Sequence, residues 1–102
     1  MDKRSNQYKL ELHEVAQKDG TPGSQVIELE FNNHDSIFEL LALVQANPRF
    51  ETPGQDARFL LGLKLFSEVM LNNRRHPLFE EFAPAFTEFM KKYKSFGQQV
   101  HS

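Results

Sequence analysis

One segment constrains this chain more than any other. From about residue 53 to 72 it places Phe59, Leu60, Leu61, Leu63, Leu65, Phe66, Val69, Met70 and Leu71 within a single stretch of helical spacing. At 100° per residue these side chains occupy nearly the whole circumference, and only Lys64, Ser67 and Glu68 leave a polar sector. A helix that apolar is central or lies at an interface, so the rest of the chain must supply cover. Thr52-Pro53-Gly54-Gln55 predicts its start, with Thr as cap and Pro at the first helical position. Asn72-Asn73 predicts a left-handed residue at its end.

The chain before it changes period. Tyr8, Leu10 and Leu12 alternate with Lys9, Glu11 and His13, and Ile27, Leu29 and Phe31 alternate with Glu28 and Glu30. A period of two predicts two half-buried strands. Val15 breaks the phase, as a bulge or a strand end would. Between the strands, Lys18-Asp19-Gly20-Thr21-Pro22-Gly23-Ser24 reads as a hairpin loop. Asn33-His34-Asp35-Ser36 is rich in capping residues, and Ser36 stands three before Glu39. Ile37, Leu40, Leu41 and Val44 then recur at helical spacing as far as Asn47-Pro48.

His76-Pro77 opens a last helical region whose stripe runs through Leu78, Phe79, Phe82, Phe86, Phe89, Met90, Tyr93 and Phe96. Pro84 interrupts it and predicts a kink or a break there. The expected fold is therefore α+β, an antiparallel hairpin packed against about three helices in the order ββααα. Tyr8, Leu10, Leu12, Ile27, Leu29 and Phe31 are expected to face helices carrying Leu41, Phe59, Phe66, Phe86 and Phe89. A central Phe66 would cost about 3–5 kcal/mol on truncation to Ala. The 102 residues suit one domain, with an ordered core at about 7–96 and loose termini at 1–6 and 97–102.

Composition narrows the function classes. Ten Phe and no Trp point to a core of Phe and Leu. Without Cys there are no disulfides, no thiolate catalysis and no Cys-bound metal, which fits a reducing compartment. The polar stretch Met1 to Asn6 is not followed by an apolar run, so a cytoplasmic location without signal peptide or membrane span is expected. A net charge of -2 gives no global attraction to nucleic acid or anionic lipid.

Three runs carry a resemblance. Asn33-His34-Asp35-Ser36-Ile37-Phe38-Glu39, the stretch from Gly62 to Leu71, and Pro77-Leu78-Phe79-Glu80-Glu81-Phe82 resemble a family of small bacterial proteins known as a domain of unknown function. The resemblance covers about 8–94. It implies a compact α+β fold in a bacterial, cytoplasmic protein, and brings no catalytic residues with it.

Weak candidate sites remain. His34 and Asp35 are adjacent and of metal-ligand type, but a catalytic metal normally needs about three protein ligands, and capping explains Asp35 without one. Glu68, four residues after Lys64, is a carboxylate on an apolar helix, the setting of a general acid or base. A solvated polar sector is the preferred reading, because most charge clusters on helices are solvated faces. Arg74 and Arg75 with Lys91, Lys92 and Lys94 form a candidate basic patch for phosphate, although lysines near a helix C-terminus also complement its dipole. No cofactor, metal or nucleotide motif stands out. The sequence favours a non-enzymatic interaction or regulatory module, with a homodimer or another protein docked on the apolar second helix. A nucleic-acid-associated protein using Arg74, Arg75 and the C-terminal lysines is the alternative, and an enzyme ranks third.

Overall fold

The computed structural model describes residues 5–99, with side chains described for 5–96. It is α+β: β1 (Asn6–His13), β2 (Val26–Asn33), α1 (Ile37–Ala46), α2 (Gln55–Asn72), α3 (Pro77–Glu80) and α4 (Phe82–Gln99). Two compact units divide between Asp35 and Ser36, the hairpin and the helices.

In the hairpin, β1 and β2 pair antiparallel with Tyr8 opposite Phe31, Leu10 opposite Leu29 and Leu12 opposite Ile27. This register puts the alternating apolar residues of both strands on one face, as a period of two requires. Tyr8 and Phe31 meet as a cross-strand ring pair with centroids 5.4 Å apart. On the other face Glu11 stands opposite Glu28, a like-charge pair. Lys9 approaches both, at 3.5 Å and 3.9 Å. A hydrogen bond with His13, reinforced by Lys9, holds the Glu11 carboxyl below its ordinary pKa.

The strand ends at His13, ahead of the phase break at Val15. The loop beyond is ordered by its own chemistry. Asp19 Oδ1 accepts from the Thr21 amide (3.0 Å) and the Thr21 hydroxyl (2.7 Å), which lowers the Asp19 pKa. Gly20 has φ +92°, open to glycine and strained for other residues. Gly23 is needed for a different reason. It lies against Glu14, and a Cβ there would sit 2.7 Å from the Glu14 carbonyl carbon and closer still to its oxygen.

The helical unit begins as expected: the Ser36 hydroxyl accepts from the Glu39 amide at 3.3 Å. α1 packs on α2, and Ile37 and Val44 of α1 and Leu60 and Met70 of α2 are buried. α2 starts at Gln55, later than Thr52-Pro53 predicts. Thr52 instead closes a turn, its carbonyl accepting from the Gln55 amide, and left-handed Gly54 (φ +89°) is the cap residue. At the other end Asn73 is not left-handed (φ -133°); its side-chain amide donates to the Val69 carbonyl at 2.8 Å instead. The side chain thus satisfies a carbonyl that a left-handed turn would otherwise serve.

The last region is split, but at Glu81, between α3 and α4, rather than at Pro84. Pro84 falls in the first turn of α4, where a missing N–H leaves no helical hydrogen bond unmade. His76 caps α3, its Nδ1 accepting from the Leu78 amide at 3.0 Å, with Pro77 at the first position. The backbone of α4 continues to Gln99, into the segment expected to be loose, and Asn6 is already paired in β1. Residues 1–4 and 100–102 of the expected loose termini lie outside the described residues.

Large rings join α2 to α3 and α4. Phe59 meets Phe89 (6.0 Å) and Tyr93 (5.0 Å), and Phe66 meets Phe79, Phe82 and Phe86 at about 6 Å. Phe66 is nonetheless 40 % exposed, so it is not the central residue expected. Its ring makes edge contacts at the margin of the cluster while Leu60 (4 %) and Phe79 (9 %) are buried. The truncation cost expected for Phe66 falls accordingly, to about 2 kcal/mol. Among the described residues no helix is long and apolar enough to cross a membrane.

Gly23→Ala should destabilise the hairpin, because the new methyl group can avoid the Glu14 backbone only if the loop moves. The expected sign is a loss of about 1–3 kcal/mol for such overpacking, accompanied by faster amide exchange from Glu14 to Gln25. Unchanged exchange in that loop would show that the close approach is not structurally required.

Candidate functional site

The polar centre of the helical unit is a set of residues that sequence reasoning passed over: Asn47, Arg49, Asp56 and Tyr93. Pro48 ends α1, and the chain turns back through Arg49 and Phe50 to reach α2. Asp56, in the first turn of α2 and only 6 % exposed, accepts from the amides of Arg49 (2.8 Å) and Phe50 (3.4 Å). The buried carboxylate therefore stands in for a missing stretch of secondary structure by satisfying the connection's own donors. Buried Asn47 donates its side-chain amide to the Leu43 carbonyl at 3.0 Å.

Arg49 then links this connection to α4. Its Nη1 donates to the Asn47 carbonyl (3.2 Å) and its Nε to the Tyr93 carbonyl (3.4 Å). Its guanidinium carbon lies 4.3 Å from the centre of the Tyr93 ring, a cation–π contact. Burial pushes the Tyr93 hydroxyl pKa up; the Arg49 charge opposes this and Asp56 adds to it. That hydroxyl is buried without a hydrogen-bond partner among the described residues. The available signals were an acidic residue in a first helical turn and an Arg directly after a helix-ending Pro.

The candidate basic patch divides. Arg74, Lys91 and Lys94 rim one groove between α2 and α4, of about 500 Å³, whose floor includes Met70, Leu71, Phe86 and Met90. Lys92 points to a different pocket with Arg49 and Tyr93. Arg75, in the turn after α2, lines neither. Lys91 pairs with Glu88 at 3.4 Å.

His34 and Asp35 lie in the turn between β2 and α1, and both are exposed. Asn33 Oδ1 accepts from the Asp35 amide (3.0 Å), the Asn6 side chain donates to the His34 carbonyl (3.4 Å), and the Tyr8 hydroxyl donates to the Asp35 carbonyl (3.4 Å). The helix cap expected of Asp35 is made by Ser36. Among the described residues, no three His, Cys, Asp or Glu side chains gather in a way that could hold a metal ion. Lys64, Ser67 and Glu68 are half-buried, in contrast to the solvated sector predicted for them, while Val69 and Leu71 of the same helix are exposed. Neither Glu68 nor Lys64 lines the groove or the Arg49–Tyr93 pocket.

A β-hairpin followed by four helices defines a small α+β domain. Residues 6–95 match a domain of unknown function, DUF3861, and the chain belongs to that family. It is also similar to a protein of unknown function from Pectobacterium atrosepticum, known from a crystal structure. That likeness has 38 % identity and a TM-score of 0.78, and covers 89 % of this chain and 98 % of the other. Comparison with curated proteins gives no match.

Asp56→Ala should strand the Arg49 and Phe50 amides. The expected loss is about 1–3 kcal/mol by urea denaturation, with Asp56→Asn losing less because one acceptor oxygen remains. A loss below about 0.5 kcal/mol for the Ala variant would mean that the connection does not depend on the carboxylate.

Proposed function

We propose that this chain is a non-enzymatic protein-interaction module acting in the cytoplasm, and that its α2–α4 groove receives an acidic amphipathic segment of a partner protein. The groove itself carries the reading. Its floor is apolar, with Met70, Leu71, Phe86 and Met90, and its rim bears Arg74, Lys91 and Lys94. Methionines adapt to varied apolar partners. Arg74 and Lys94 make no ion pair among the described residues, so they are available to carboxylates. An amphipathic helix lays apolar side chains at i, i+3, i+4 and i+7 into such a groove, and flanking Glu or Asp side chains would meet the rim.

A second reading draws on the same cations: three of the five candidate basic residues surround one groove, and a nucleic-acid backbone would also seek them. The overall charge of -2 and the apolar floor weigh against it. A second copy of this chain, seated through the exposed Val69 and Leu71 of α2, is a further occupant to be tested.

The test is fluorescence anisotropy with a labelled amphipathic helical peptide whose polar face is Glu, beside the same apolar pattern with Lys and a random single-stranded oligonucleotide. The Glu peptide should bind in the range of about 1–100 μM, typical of a small groove. Reversing Arg74 and Lys94 to Glu should weaken it at least tenfold, with the chain sedimenting as a monomer. Equal binding of both peptides, salt-sensitive binding of the oligonucleotide alone, or a stable dimer that occludes the groove would each overturn the proposal.

A further inference from the structure

α4 carries a second apolar row beside the one that forms the groove. Phe89, Lys92, Tyr93 and Phe96 follow one another at steps of three, one and three, and together with Arg49, Phe50 and Phe59 they enclose a pocket of about 370 Å³. That volume lies within the usual range for small-molecule sites, roughly 300–1,000 Å³. Its walls are almost wholly aromatic. Phe59 stands edge-on to Phe50 (5.4 Å, 65°), and Phe89 and Tyr93 are nearly parallel (9°), so ring edges and ring faces are both presented. A planar aromatic group is the shape that such walls accept with least loss of contact.

The charges are of one sign. Among the described residues, Arg49 and Lys92 are the only ionised side chains lining the pocket, and neither makes an ion pair there. Arg49 is held in place by neutral backbone carbonyls, those of Asn47 and Tyr93, which orient the guanidinium. The neighbouring carboxylate, Asp56, is engaged by the Arg49 and Phe50 amides. The Tyr93 hydroxyl keeps its proton, since burial raises its pKa, and has no acceptor among the described residues.

We propose that this pocket binds a small aromatic carboxylate, its ring packed against Phe59, Phe89 and Phe96 and its carboxylate between Arg49 and Lys92. Inorganic anions fit poorly, because aromatic walls cannot replace their hydration. Aromatic cations meet two like charges. The site is separate from the α2–α4 groove, so its occupancy does not rest on the partner reading.

The test is titration of the ¹⁵N-labelled full chain, followed by NMR, with benzoate and indole-3-acetate, and with acetate and benzylamine as controls. The aromatic carboxylates should shift the amides of Arg49, Phe50, Phe59, Lys92 and Phe96 with dissociation constants of about 1 mM or tighter, as expected of molecules this small. Acetate and benzylamine should leave them in place. Lys92→Glu, an exposed change that spares the fold, should weaken benzoate about tenfold, and Phe96→Ala should weaken indole-3-acetate more than benzoate. The proposal is overturned if benzylamine binds as well as benzoate, if Lys92→Glu has no effect, or if the shifts fall at Met70, Arg74 and Lys94 instead.

Discussion

The helical unit depends on the ring contacts that α2 makes with elements elsewhere along the chain. Phe59 gathers Phe50, Phe89 and Tyr93, and Phe66 gathers Phe79, Phe82 and Phe86. Tilted and edge-to-face ring pairs of this kind add about 0.5–1.5 kcal/mol beyond the area they bury. They also set the spacing. Rings reach further than aliphatic side chains, so α4 can be anchored to α2 while space remains on either side of the contact. The groove with Met70 and Met90 and the pocket with Phe50 and Phe96 are those spaces. An aliphatic seam would close them.

A polar tie fixes the end of this arrangement. Asp56 holds the connection that carries Arg49, and Arg49 in turn reaches the Tyr93 carbonyl and ring on α4. The chain thereby uses one buried carboxylate to orient one cation, and that cation to register a helix more than forty positions away in sequence. Buried polar groups are tolerated when their donors and acceptors are met, and among the described residues the Tyr93 hydroxyl is the exception.

Much of this was legible in the sequence, for identifiable reasons. The alternation from Tyr8 to Leu12 and from Ile27 to Phe31 reads directly as a register because side-chain period and strand pleat are the same quantity. Ser36 and His76-Pro77 announce helix starts through local chemistry alone. What could not be read was set by tertiary competition. Thr52 yields to Gly54 because the turn closes through a backbone carbonyl, and Pro84 moves the break to Glu81 because a helix's first turn is where proline does no harm. Phe66 looked central because periodicity counts faces and not the depth to which each is covered. The Arg49–Asp56–Tyr93 set had no motif, since its members are brought together by the turn after α1 and by the packing of α4.

A double-mutant cycle across Phe59 and Phe89 measures the ring contact itself. Phe59→Leu, Phe89→Leu and the combined variant would be compared with the parent chain by urea denaturation. If ring contacts between α2 and α4 organise the helical unit, the two single losses will exceed the double by about 0.5–1.5 kcal/mol. Losses that add within about 0.3 kcal/mol would mean the rings act as independent apolar bulk, and the basis for both the groove and the pocket would be gone.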